Sequence, residues 1–195
     1  MPTKKSLTGV VLTGGQSTRM GSPKALIPRE GIFLFEHMAH TLAGSFTSVI
    51  ISHKKDSFSL PATDFPVIAD VFEERSPMSG ILSALITLQS PVFVVPVDVP
   101  GLSEDVVEYL ISRRVPNNFC TVFFNDNKKI YDPLIGIWEL SAIEVLESCL
   151  KNRQFSFQRL LREHNIPEIS FPKGLKITNL NTKDEYKKWV QNQAK

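Results

Sequence analysis

A chain of 195 residues with 42% hydrophobic and 22% charged residues is long enough to bury one full-sized core, and its composition gives no reason to expect two. A net charge of only +2 argues against a nucleic-acid or membrane surface, so any anion site must be built locally from a few placed cations. The two cysteines, Cys120 and Cys149, lack metal-ligand spacing and read as buried thiols in a reducing compartment.

After the polar start MPTKKS, Leu7 to Leu12 is a continuous apolar run bounded by turn residues, the pattern of a strand covered on both faces. The run is too short for a signal peptide or a membrane span, which leads to the expectation of a cytoplasmic protein. The loop that follows, Leu12 to Lys24 (LTGGQSTRMGSPK), combines Gly14, Gly15 and Gly21 with small hydroxyl residues and two cations, Arg19 and Lys24. Glycines let backbone N–H groups come close to an anion, and the cations offset charge that the amides cannot. This is the chemistry of a polyphosphate loop.

Phe33 to Ala43 has helical spacing and stops at Gly44, and Val49 to Ser52 reads as a second strand, so the chain opens with a strand-helix-strand unit and parallel pairing. His37 and His40 share a helical face, but no carboxylate or cysteine pattern completes a metal site, which leaves them packing or surface roles. Residues 53 to 65 read as irregular surface. Val67 and Ile68 form a brief strand ending at Asp70, and Met78 to Leu88 is an amphipathic helix. PVFVVPVD is a β-rich run ending at Asp98, and a helix from Glu104 to Ser112 follows with Ser103 as its expected cap.

In the second half, Phe119 to Phe124 and Ile130 to Trp138 are β-type segments joined by a turn at residues 125 to 128. Helices are expected at Ser141 to Leu150 and, capped by Ser156, at Phe157 to Glu163. A last strand near Lys176 to Leu180 leads to a helix that Thr182 can cap. The fold class is therefore α/β, a Rossmann-like mixed, mostly parallel sheet flanked by helices. One domain over 1–195 is expected, with a nucleotide-binding half at 1–100 and an acceptor-substrate half at 101–195. Open sheets of this class bind ligands at the carboxyl ends of their parallel strands, where the loop, Asp70 and Asp98 all fall.

Spacing excludes two common phosphate motifs. Five residues separate Gly15 from Gly21 and Lys24 comes three later, which is no Walker loop; Gly14-Gly15-Gln16 does not supply G-x-G-x-x-G. The stretch instead resembles the opening of the nucleotidyltransferases built on a glycosyltransferase-A-like Rossmann domain, most closely the molybdenum cofactor guanylyltransferase (MobA) family. Leu12, Gly14, Gly15, Ser17, Arg19, Met20, Gly21 and Lys24 match; Thr13 replaces the usual Ala and Pro23 the usual Asp. Similarity continues in order through VIAD at Asp70, Pro77-Met78-x-Gly80-Ile81 with Ser76 in place of a Gly, PVDVPGLS at Asp98, Pro133-Leu134, and NLNTKDEY with Asn179, Asn181 and Thr182.

The resemblance implies transfer of GMP from GTP to the phosphate of molybdenum-bearing molybdopterin, with release of pyrophosphate. It implies Lys24 and Arg19 on phosphate charge and Asp98 on Mg²⁺. Leu12, Thr13, Gly14, Gly15, Asp70 and Gly80 are then expected at the nucleotide, and Asn179 and Asn181 at the pterin. Proteins that mature molybdoenzymes are possible partners. Charge balance agrees independently: a triphosphate brings roughly four negative charges, Arg19 and Lys24 offset about two, and a Mg²⁺ ion offsets the rest. Two alternatives remain at this stage, a sister enzyme using CTP and a non-catalytic nucleotide-binding module.

Overall fold

The computed structural model describes residues 7–14, 23–29, 31–54, 56–74, 76–174, 177 and 185. Its centre is a seven-stranded sheet built from β1 (Thr8–Leu12), β4 (Val49–His53), β5 (Val67–Ala69), β6 (Val92–Pro96), β7 (Cys120–Asn125), β8 (Ile130–Trp138) and β9 (Ile169–Ser170). The strand order is β5-β4-β1-β6-β8-β7-β9. β1, β4, β5 and β6 run parallel, and β8 is antiparallel to both of its neighbours. This is the mixed, mostly parallel sheet that the sequence leads one to expect. A short hairpin, β2 (Pro28–Arg29) with β3 (Ile32–Phe33), stands apart from it.

Strand alternation assigns the two faces. Val10, Ile50, Val92 and Val94 point to one core, with α2 (Pro77–Leu88), α4 (Ala142–Lys151) and α5 (Phe157–Glu163). Val11, Ile51, Phe93 and Val95 point to the other, with α1 (Leu34–Ala43) and α3 (Glu104–Ser112). Period-two side chains on strands buried from both sides give the continuous apolar runs seen in the sequence.

The chain leaves β1 through α1 to β4 and continues outward to β5. It then returns through α2, on the opposite face, to β6 on the far side of β1. Strand order therefore reverses between β1 and β6, and such a switch point opens a crevice at the carboxyl ends of the two strands.

Several expected elements differ in detail. Gly44 ends α1 in a right-handed conformation, φ −63° and ψ −30°, so no left-handed cap is made there; instead an added Cβ would lie 1.9 Å from Glu104 Oε1. Ser103 stands at the N-cap of α3 without a side-chain capping bond, whereas Ser156 accepts from Arg159 N–H as expected. β2, β3 and β9 are two-residue strands too short to show a period. The expected last strand and helix lie, apart from Ile177 and Glu185, outside the described residues.

Candidate active site

The ends of β1, β4, β5 and β6 share one edge of the sheet. Past β1, Thr13 N–H still donates to Ser52 O, and past β5, Asp70 N–H donates to His53 O, so both ladders run one residue beyond their strands. β6 reaches the same level, with Leu12 opposite Pro96, and Asp98 follows in the turn after it.

Lys24 opens a single 3-10 turn, Lys24–Leu26, whose buried Ala25 packs into the core beside α1. Pro23 precedes it with φ −58°, and its carbonyl accepts from Leu26 N–H. A fixed φ and a fixed carbonyl aim the chain into this turn, which gives the departure from the family's Asp a structural reason. From here Lys24 Nζ donates to Asp98 Oδ2 at 2.9 Å, with side chains 17% and 28% exposed. The two residues lie 74 positions apart in sequence and meet across the β1–β6 crevice.

Gly14 is exposed, and a Cβ added there would meet nothing within 4 Å among the described residues. Packing among the described residues does not demand glycine there, and the open space beside it leaves room for a ligand to approach the backbone. Gly80 is different. It is buried in α2, and a Cβ would press to 3.2 Å from Leu12 Cδ2 and 3.3 Å from Ser52 Oγ, so this glycine lets the start of α2 sit tightly on β1 and β4. Ser76, in place of a family glycine, accepts from Met78 N–H and caps α2 ahead of Pro77.

Thr13 is buried. Its hydroxyl donates to Ser52 O at 3.0 Å and lies 2.9 Å from His53 Nδ1, while His53 Nε2 lies 2.9 Å from Phe58 O. A carbonyl only accepts, so Nε2 carries the proton of that bond. The hydroxyl that replaces the family's Ala thus joins the ends of two neighbouring strands.

Asp70 Oδ1 accepts from Phe72 N–H at 3.2 Å and from Ser83 Oγ–H at 3.0 Å, bracing the turn after β5 against α2. Burial pushes its carboxyl above the ordinary carboxylate value, against these hydrogen bonds and the Lys54 charge. Lys54 Nζ donates to the carbonyls of Phe72, Glu73 and Glu74 at 2.8, 2.6 and 3.1 Å. Asp70 and Asp98 are three strand positions apart, roughly 14 Å, the scale of a nucleoside and its extended phosphates. A groove of about 530 Å³ lies beyond this turn, lined by Glu73, Glu74, Ser76, Pro77, Arg153 and Phe155.

One residue that sequence reasoning missed is Asp132. Burial and the neighbouring Asp98 charge push its carboxyl up to about 6. It sits where β8 bulges: Val122 pairs with Gly136, but Phe123 pairs with Asp132, leaving three extra residues on β8. Only the acid directly before Pro133 hinted at it. Arg19, Gly15, Asn179 and Asn181 lie outside the described residues. His37 lies against Arg29 and the Pro100 carbonyl, and the His40 ring meets Phe65 edge-on at 5.0 Å.

Among the described residues, no group of three or more His, Cys, Asp or Glu side chains is placed to hold a metal. Magnesium at a phosphate site needs only one or two carboxylates, because substrate oxygens and water complete its shell. A donor set led by Asp98 fits that requirement.

The sequence matches the MobA-like NTP transferase domain over residues 9–168. A molybdenum cofactor guanylyltransferase of Helicobacter pylori (strain G27) is 33% identical over 193 residues, covering 93% of this chain and 90% of that protein. A crystal structure of a protein from Aquifex aeolicus VF5 superposes with a TM-score of 0.75 at 27% identity, over 93% of this chain and 96% of that one. The molybdopterin-guanine dinucleotide biosynthesis protein A of Archaeoglobus fulgidus shares the fold, with a TM-score of 0.72 at 18% identity, covering 96% of this chain and 99% of that one. With the matched domain spanning both the crevice and the strands that frame it, this chain belongs to the MobA-like NTP transferase family of nucleotidyltransferases.

Proposed function

We propose that this enzyme transfers GMP from GTP to the phosphate of molybdopterin carrying molybdenum, forming the guanine dinucleotide cofactor. The observation that carries the proposal is the Lys24–Asp98 pair, set at the switch point of a chain whose relatives bear that activity in their names. An oxygen of the acceptor phosphate attacks the α-phosphorus of GTP; the new P–O bond forms as the bond to the β-phosphate bridging oxygen breaks, and pyrophosphate leaves. The attacking oxygen is already anionic, so the protein supplies position and charge rather than a strong general base.

In this reading Lys24 exchanges its bond with Asp98 for one with phosphate, joined by Arg19. The backbone from Leu12 to Gly15 faces the guanosine, with Asp70 holding the turn beside it and Gly80 setting the depth of the floor. Asp98 holds Mg²⁺, which, when bound, neutralises phosphate charge. Asn179 and Asn181 offer amide donors and acceptors to the pterin edge. The setting is the cytoplasm, and proteins that mature molybdoenzymes would receive the product. Thr13, Pro23 and Ser76 each have a structural task, so the departures from the family pattern do not speak for a catalytically silent module.

The test is pyrophosphate release from GTP with Mg²⁺ and molybdenum-charged molybdopterin, alongside thermal shifts by GTP and CTP. Release with GTP and a larger shift by GTP are expected. Release with CTP alone would overturn the guanine assignment.

A further inference from the structure

Lys54 stands directly past β4, at the same edge of the sheet as Lys24, yet its charge is used differently. Its half-buried ammonium donates to the carbonyls of Phe72, Glu73 and Glu74 at 2.8, 2.6 and 3.1 Å. Three donors meet three acceptors, so no N–H is left for a phosphate. A cation at the nucleotide end of the sheet is thereby committed to one stretch of backbone.

That stretch belongs to the connection from β5 to α2, residues 70 to 76. One end is tied at Asp70 and Ser83: Phe72 N–H donates to Asp70 Oδ1, and Val71 N–H donates to Ser83 Oγ at 3.0 Å. The other end is tied into α2, where Ser76 Oγ accepts from Met78 N–H and Ser79 Oγ donates to the Glu74 carbonyl at 2.9 Å. Between these ties, among the described residues, the Phe72 and Glu73 carbonyls accept from Lys54 alone. Successive carbonyls aimed at one point bring like partial charges together, and a cation at that point makes the arrangement favourable.

The connection feeds the helix that carries Gly80, and Gly80 lets α2 press on Leu12 and Ser52 at the foot of the phosphate loop. Lys54 therefore couples the end of β4 to the turn that flanks the nucleotide half of the crevice.

We infer that Lys54 is a positioning residue for the nucleoside: it fixes the backbone of residues 72 to 74 as a wall beside the guanosine and takes no part in binding phosphate. This rests on the placement of the guanosine beside Asp70 proposed above. A wall that is formed before the ligand arrives need not be ordered on binding, and that advantage does not depend on how many phosphates the ligand carries.

The experiment is calorimetric titration of the full chain with GMP and with GTP, in the presence of Mg²⁺, for wild type, Lys54→Met, Lys54→Arg and Lys24→Ala. Amide hydrogen exchange of each variant reports which segments stay closed. Lys54→Met is expected to weaken GMP and GTP by the same factor, about tenfold. Exchange should rise at residues 71 to 74 while β1 and β4 keep their protection. Lys54→Arg retains a cation and its donors and should lie closer to wild type, whereas Lys24→Ala should weaken GTP more than GMP. Wild-type affinity for both nucleotides in Lys54→Met would overturn this inference alone. A larger loss for GTP than for GMP would make Lys54 a phosphate ligand, and equal losses with unchanged exchange at 71 to 74 would make it a direct contact of the nucleoside; either result overturns it. Loss of protection throughout β1 and β4 would make Lys54 a support of the whole fold, with the same consequence. If wild type bound neither nucleotide, the placement of the guanosine would fail as well.

Discussion

The two ends of the central sheet each carry a cation–carboxylate pair, and the pairs are built differently. At the amino ends of the parallel strands, Arg114 meets Glu139 with two bonds, Nε to Oε1 and Nη2 to Oε2, both at 2.7 Å, with side chains only 8% and 7% exposed. At the carboxyl ends, Lys24 Nζ meets Asp98 Oδ2 at greater exposure and with Asp132 nearby. A planar fork buried on a carboxylate cannot be exchanged without exposing a bare charge, so it serves the fold. An ammonium at the lip of a crevice, a point charge without the fork's fixed geometry, can be traded to a phosphate.

Removing one partner of the buried pair tests that contrast most strongly. Arg114→Met leaves Glu139 buried and uncompensated, and is expected to cost about 3–5 kcal/mol of stability by urea unfolding while the folded fraction keeps its kcat. The open pair should behave in the opposite way. Lys24→Ala and Asp98→Ala are each expected to lower kcat by about 100- to 1000-fold while stability changes by about 1 kcal/mol or less. If these losses came through unfolding instead, the two ends of the sheet would not differ as described.

Thr13→Ala probes the border between structure and site. It removes the hydroxyl facing His53 Nδ1, for an expected loss of about 1 kcal/mol in thermal unfolding and little change in turnover. A combined Thr13→Ala and His53→Ala variant should lose less than the sum, because the Thr13–His53 contact can be lost only once, while the His53 Nε2 bond to Phe58 O is lost in either background.

The smallest effect concerns Asp70. Its carboxyl is held above the ordinary value by burial, so the native state binds that proton more tightly than the unfolded chain does. Stability contributed by this group therefore falls as pH rises through the window from the ordinary value to the raised one. Asp70→Asn keeps an oxygen to accept from Phe72 and Ser83 but cannot titrate, so the melting temperature should fall less over that window than in wild type. An identical pH profile would show that the carboxylate sheds no proton on unfolding.

These contrasts also mark what a sequence can carry. The strands buried on both faces were legible because period-two packing on two helical layers leaves unbroken apolar runs. Asp98 was legible because it closes such a run, and Lys24 because it closes the loop that gathers glycines and cations. Asp132 was not, since its proximity to Asp98 depends on the β6–β8 register and on a bulge, both set by tertiary packing. The family resemblance singled out Gly14 and Gly80 together but could not separate their settings, one with open space beside it and the other pressed against Leu12 and Ser52. The hairpin of β2 and β3 escaped notice because two residues show no periodicity.

Lys54 has one more consequence. An ammonium group has three N–H bonds, and here all three end on consecutive carbonyls, 18 to 20 residues away in the chain. Physically this is a cross-link without a covalent bond, closing a ring that contains β5. A disulfide in that place would need reduction to open, but this clasp opens on loss of a single charge. Acetylation of the amine would strip two of its donors and its positive field at once, freeing the span from Phe72 to Glu74 while the sheet beneath stayed whole.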